Sequence, residues 1–179
     1  MSQTKVHPTL AGNWVLIGTS VASASASLTQ TGLDSTYDTY AVVCSDFTPS
    51  DSPTGRNLYI RVGDSGGVDS GASDYEYHNN QSTSDAGTYA GINSASAAQI
   101  VATAGAIEHA MTFFIGGPAD ATIRPLIYGE YVCNDGSRTK GGDILGERNA
   151  VITLDRVQVL YSSGNIATGR MSVYGIAHV

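Results

Sequence analysis

The chain has 179 residues, 41% of them apolar, which suits one domain burying roughly 69% of its unfolded surface without a metal or a disulfide framework. Nine Lys and Arg against 16 Asp and Glu give a net charge of -7, which repels polyanions and argues against direct nucleic-acid binding. Twenty-one glycines, with Ser, Thr and Asp crowded between apolar runs, favour many short strands over helices, and no apolar run reaches the roughly 18 residues a membrane-spanning helix needs.

Residues 1–12 read as an extended arm and 13–179 as a single domain. Apolar arm residues such as Val6 and Leu10 could lie over the domain edge or a neighbouring subunit. The opening lacks the apolar stretch of a signal peptide, so synthesis in the cytoplasm is expected. Residues 14–20 predict the first strand. From Ala22 to Leu28 small apolar and polar residues alternate, which predicts a strand of low side-chain volume and a candidate edge or subunit contact. A turn follows at 31–35.

Residues 37–62 form the stretch on which the chain is organised, and its first strand, 37–44, sets Tyr40, Val42 and Cys44 on one face and Tyr37, Ala41 and Val43 on the other. Two prolines and a glycine between Asp46 and Gly55 predict a turn region. Residues 57–62 then alternate, Leu58, Ile60 and Val62 inward against Tyr59 and Arg61 outward. Asp64, Asp69 and Asp74 fall five apart in a Gly-rich stretch. That spacing does not match an EF-hand loop, so Asx and glycine turns are expected ahead of a calcium site.

Residues 75–78 predict a short strand carrying Tyr75 and Tyr77 on one face. Together with Tyr59 and Tyr89, which flank the same loop, they form the candidate interaction surface, with a glycan platform as its sharpest form. Residues 79–93 read as an exposed loop, and the sequon at 80–82 as chance. Residues 94–107 carry alanines that suit a helical turn and β-branched residues that suit a strand better.

Residues 110–115 predict a strand, and 122–133 a longer one that begins after Pro125 or runs along an edge. Its faces are Leu126, Tyr128, Glu130 and Val132 on one side and Ile123, Ile127 and Tyr131 on the other. Residues 134–149 read as a hydrophilic connection, and 151–154, 157–161 and 169–176 as closing strands with a turn at 162–165. The total is eight to ten strands with no fixed repeat, which predicts an all-β fold, an antiparallel β-sandwich, rather than a propeller or solenoid.

Reaction chemistry finds little support in the residue pattern. His7, His78, His109 and His178 show no tight ligand motif and read as surface or rim histidines, so no metal and no cofactor are expected. Cys44 and Cys133 end apolar runs and read as buried free thiols, with a cross-strand disulfide as the alternative. Neither a nucleophile elbow nor a phosphate loop is present. A glycosidase-type pair would need Glu130 brought within about 5 to 9 Å of Glu76 or Asp38.

Scattered phrases resemble tailed-phage and prophage virion β-sandwich proteins: residues 14–19 (WVLIGT), 24–28 (ASASL), 32–40 (GLDSTYDTY), 58–62 (LYIRV), 69–75 (DSGASDY) and 169–176 (GRMSVYGI). The resemblance implies a jelly-roll-like, non-enzymatic structural protein of the virion, made in host cytoplasm. Capsid decoration or cement leads among its roles, and a tail, adaptor or fibre component with a receptor- or glycan-binding role is the alternative. The partners it implies are the major capsid protein or tail proteins and further copies of the chain, a trimer among the options, with no membrane and no nucleic acid.

Overall fold

A computed structural model describes residues 14–50, 56–83, 86–103, 107–118 and 122–176. Thirteen strands occur among them: β1 (Trp14–Val21), β2 (Ser27–Thr31), β3 (Thr39–Pro49), β4 (Arg56–Asp64), β5 (Gly67–Val68), β6 (Tyr75–Thr83), β7 (Gly87–Ala95), β8 (Ala98–Thr103), β9 (Glu108–Gly116), β10 (Leu126–Asn134), β11 (Thr139–Arg148), β12 (Arg156–Tyr161) and β13 (Ile166–Ile176). They form two antiparallel sheets, one of eight strands in the order β1-β13-β3-β9-β10-β11-β6-β7 and one of five in which β2-β12-β4-β5 are joined by β8 beside β4. The fold is an all-β, jelly-roll-like sandwich.

The core lies between the two inner faces. Tyr40, Val42, Phe113, Ile115, Met171 and Val173 come from the large sheet, and Leu58, Ile60, Val62, Val157 and Val159 from the small one, all buried. Period-2 alternation sends these residues inward, as expected for 37–44, 57–62 and 169–176.

Several segments depart from their sequence reading. β3 continues into the expected turn region as far as Pro49, a bulge between Cys44 and Phe47 absorbing one residue, with Asp46 at φ 59° and Phe47 fully buried beyond it, while 51–55 lie outside the described residues. Residues 22–26 are a sheet-to-sheet corner instead of a strand. Ala24 takes φ 51°, and the amides of Ala22, Ala24 and Ser25 donate to carbonyls of β13 and its start, so the close-approaching backbone is this chain's own.

The polar stretches expected as loops at 79–93 and 134–149 are the strands β6, β7 and β11. On β6 and β11 the buried side is thin, with Asn79 and Ile144 pointing inward, and the outer side is mostly polar apart from Leu145. The β10–β11 connection shrinks to a turn in which Asp135 accepts the amides of Ser137 and Arg138 at 3.0 and 2.7 Å. Of residues 94–107, 94–95 and 98–103 are strand, as the β-branched residues indicated, and 104–106 lie outside the described residues. Residues 151–154 are not a strand, although Leu154 is buried and its amide donates to the Pro118 carbonyl. β10 begins directly after Pro125, and Ile123 lies outside it, exposed.

Candidate functional site

The face of the large sheet turned away from the core carries an unusual set of side chains. Register places Leu16, Tyr174, Ala41, Phe114, Tyr128, Leu145 and His78 in one line across seven strands. Trp14 sits one pair further along β1, its ring 5.6 Å from Tyr174 and edge-on to Phe114 at 6.1 Å. Phe114 and Tyr128 stack at 5.4 Å. Trp14 is 47% exposed and Tyr128 43%, and Leu16, Val21, Leu126, Val132 and Leu145 are exposed on the same face. Single exposed apolar residues are ordinary, whereas a contiguous band of this size marks a surface that meets something.

Two residues along each strand, three on β1 where a bulge intervenes, the line turns polar apart from Val43: Thr19, Ser172, Val43, Thr112, Glu130, Asp143 and Asn80. Thr19 and Ser172 hydroxyls bond at 3.0 Å, and the Asn80 amide donates to Asp143 at 3.1 Å. Glu130 stands directly opposite Asp143 and has no hydrogen bond or ion pair among the described residues. Glu76 is four residues from Asn80 and two strands from Glu130, about 16 Å away by strand geometry, and Asp38 precedes β3 beyond the Thr39 pair. The carboxylate beside Glu130 is thus Asp143, and the pairings with Glu76 and Asp38 do not form.

Three open depressions adjoin one another along β9 and β10. The first, about 540 Å³, lies between Phe114, Tyr128 and Leu145 on one side and Thr112, Glu130 and Asp143 on the other. It shares Thr112 and Glu130 with a second of about 410 Å³, which shares Ala110 and Val132 with a third of about 410 Å³ reaching Asp46, Glu108 and Asn134. From Tyr128 to Asn134 this groove spans about 20 Å. Its aromatic end stacks rings and its middle offers carboxylate and hydroxyl oxygens, a combination able to hold a molecule with one apolar face and a polar edge.

The residues singled out from sequence do not converge here. Tyr75 and Tyr77 are core side chains and offer no surface to a partner. The Tyr75 hydroxyl donates to the Val62 carbonyl at 2.9 Å and accepts its amide at 2.8 Å, which explains why the sequence's polar-handled aromatic belongs inside. Tyr59 is half-buried on the outer side of the small sheet, on the opposite side of the molecule from the groove. Val6, Leu10 and the side chain of Tyr89 lie outside the described residues.

The acidic loop resolves into turns and an ion cluster. Asp64 accepts the Gly66 amide at 2.7 Å, and Asp74 that of Gly71 at 2.6 Å. Arg148 holds Asp69 at 2.8 Å and Asp74 at 3.3 Å, so the three carboxylates do not converge. No group of three His, Cys, Asp or Glu able to hold a metal occurs among the described residues.

His78 is exposed, over Gly91, but His109 is not the rim residue expected. It points inward from β9, 4% exposed, with its Nδ1 3.0 Å from the Tyr161 hydroxyl and no hydrogen-bond partner for Nε2 among the described residues. Burial lowers its pKa to about 4 and keeps the ring neutral. His7 and His178 lie outside the described residues. Cys44 and Cys133 are buried free thiols, and burial pushes the Cys133 thiol up to about 11 and Cys44 higher still.

No family model and no curated protein matches the sequence. Solved structures with some likeness include a legume lectin-like domain from Entamoeba histolytica, 12% identical with a TM-score of 0.37, over 94% of this chain and 88% of that one. Another is the CBM2 module of the evolved Dit of Lactobacillus casei BL23 phage J-1, 8% identical with a TM-score of 0.28, over 94% and 82%. A third, SCP-B of the eqolisin peptidases, is 11% identical with a TM-score of 0.25, over 87% and 65%. At these scores nothing about sugars or peptides transfers to this chain.

Proposed function

We propose that the chain is a non-enzymatic glycan-binding module, with an oligosaccharide lying in the groove along β9 and β10. The observation that carries this reading is the outward-facing aromatic band, exposed Trp14 and Tyr128 with half-buried Phe114 and Tyr174, set beside the polar line of Thr112, Glu130, Asp143 and Asn80. A pyranose has a C–H face that stacks on a ring and an equatorial rim of hydroxyls that needs oxygen and amide partners, and the two lines supply both. The setting we propose is a receptor-binding part of a phage tail or fibre, supported by the sequence phrases quoted above. Capsid decoration rested on the same resemblance, on a single β-domain and on an N-terminal arm, and that arm, with Val6 and Leu10, lies outside the described residues.

The test is a glycan array followed by calorimetry on the best binder. Tyr128→Ala removes the stacking ring at the groove's aromatic end and is expected to weaken binding at least about tenfold. Binding that survives Tyr128→Ala and Trp14→Ala unchanged would remove this face from consideration, and release of new reducing ends from the bound oligomer would show an enzyme instead.

A further inference from the structure

We infer, building on the glycan-binding reading, that the groove selects its ligand by charge: it takes sugars bearing ammonium groups ahead of neutral ones and turns away sugars bearing carboxylates. Four carboxylates line the three adjoining depressions, Asp46, Glu108, Glu130 and Asp143, and no Lys or Arg lines any of them. The one titratable base along the groove, His109, is held neutral by burial. Arg124, in the turn before β10, is occupied by Glu147 at 2.6 Å, and Arg170 on β13 stands between Val21 and Ser45, one strand from the second depression and not among its lining residues.

Glu130 and Asp143 face each other as a direct cross-strand pair, an arrangement that like charges disfavour. Asn80 offsets Asp143, while nothing among the described residues offsets Glu130. An ammonium group placed between them relieves the repulsion and gains charge-assisted hydrogen bonds. A uronate or sialate in the same place adds a fifth negative charge, and the groove is shallow enough for added salt to screen the effect.

The experiment compares three oligomers of equal length, of glucosamine, N-acetylglucosamine and galacturonate, with an oligolysine peptide as the non-sugar cation. Each is titrated calorimetrically into the wild-type chain and into the Glu130→Gln, Asp143→Asn double variant, in mildly acidic buffer of low ionic strength. The expected order is glucosamine, then N-acetylglucosamine, then galacturonate, each step about tenfold, with the spacing collapsing in the double variant and in added salt. Equal binding of the charged and uncharged sugars, or an order that persists in the double variant, overturns charge selection while leaving glycan binding standing. Binding of oligolysine alone, or of none of the sugars, overturns the glycan-binding reading together with it.

Discussion

Acidifying the protein from neutral pH should cost it stability through a single buried ring. His109 lies on the inner side of β9 between Phe47 and Cys133 on the neighbouring strands, with Tyr161 of the other sheet against it. Burial strips the imidazolium of water and the Phe47 backbone offsets only part of that, so the folded protein resists the proton down to about pH 4. The unfolded chain takes it up near the ordinary value of 6.5. Above 6.5 both states are neutral and His109 adds no pH dependence. Between 6.5 and about 4 the unfolded state binds a proton the folded state lacks, so stability falls with pH. Below about 4 the loss levels off. Integrated over that window the loss is about 3 kcal/mol, a large share of the 5 to 15 kcal/mol typical of a domain. Urea denaturation across the range, for wild type and His109→Asn, isolates this from the carboxylates. The variant starts less stable but should lose about 3 kcal/mol less on acidification. Parallel pH profiles for the two proteins would refute the reasoning.

Two further substitutions test the packing on which the groove rests. A Cβ at Gly142 would sit on the Asn80 carbonyl oxygen and 3.0 Å from the Tyr131 hydroxyl, so Gly142→Ala should destabilise by about 3 kcal/mol. If the site were open, the same change would raise the melting temperature by restricting the unfolded chain. Tyr75→Phe should cost about 1 to 3 kcal/mol by stranding the Val62 amide, read as a lower urea midpoint at unchanged slope.

Strong alternation was legible where both partners of the pattern were apolar or β-branched, as in 57–62, 110–115 and 169–176. It failed where the strand's buried side was thin. β11 buries little beyond Ile144 and fills its length with glycine and charge, so it read as a connection, although Gly142 and Gly146 admit the neighbouring backbone of β6. The tyrosines misled because a hydroxyl satisfied by backbone, as in Tyr75, is indistinguishable in sequence from one facing water. The groove was half visible: the Leu126, Tyr128, Glu130, Val132 face was read correctly, and its mixture of ring and acid was the signal. What gave it meaning was the register that brings Trp14, Tyr174 and Phe114 alongside from strands far apart in the chain.

The pairing of β1 with β13 sets Trp14 opposite Ile176, so the polypeptide enters and leaves this sandwich at one corner of the large sheet. Anything attached on either side therefore departs beside the tryptophan, next to the ring-lined mouth of the groove. A sandwich with ends so close fits into a surface turn of a larger scaffold much as a hairpin does, and spliced in this way it would hold the face near its mounting instead of at the far tip.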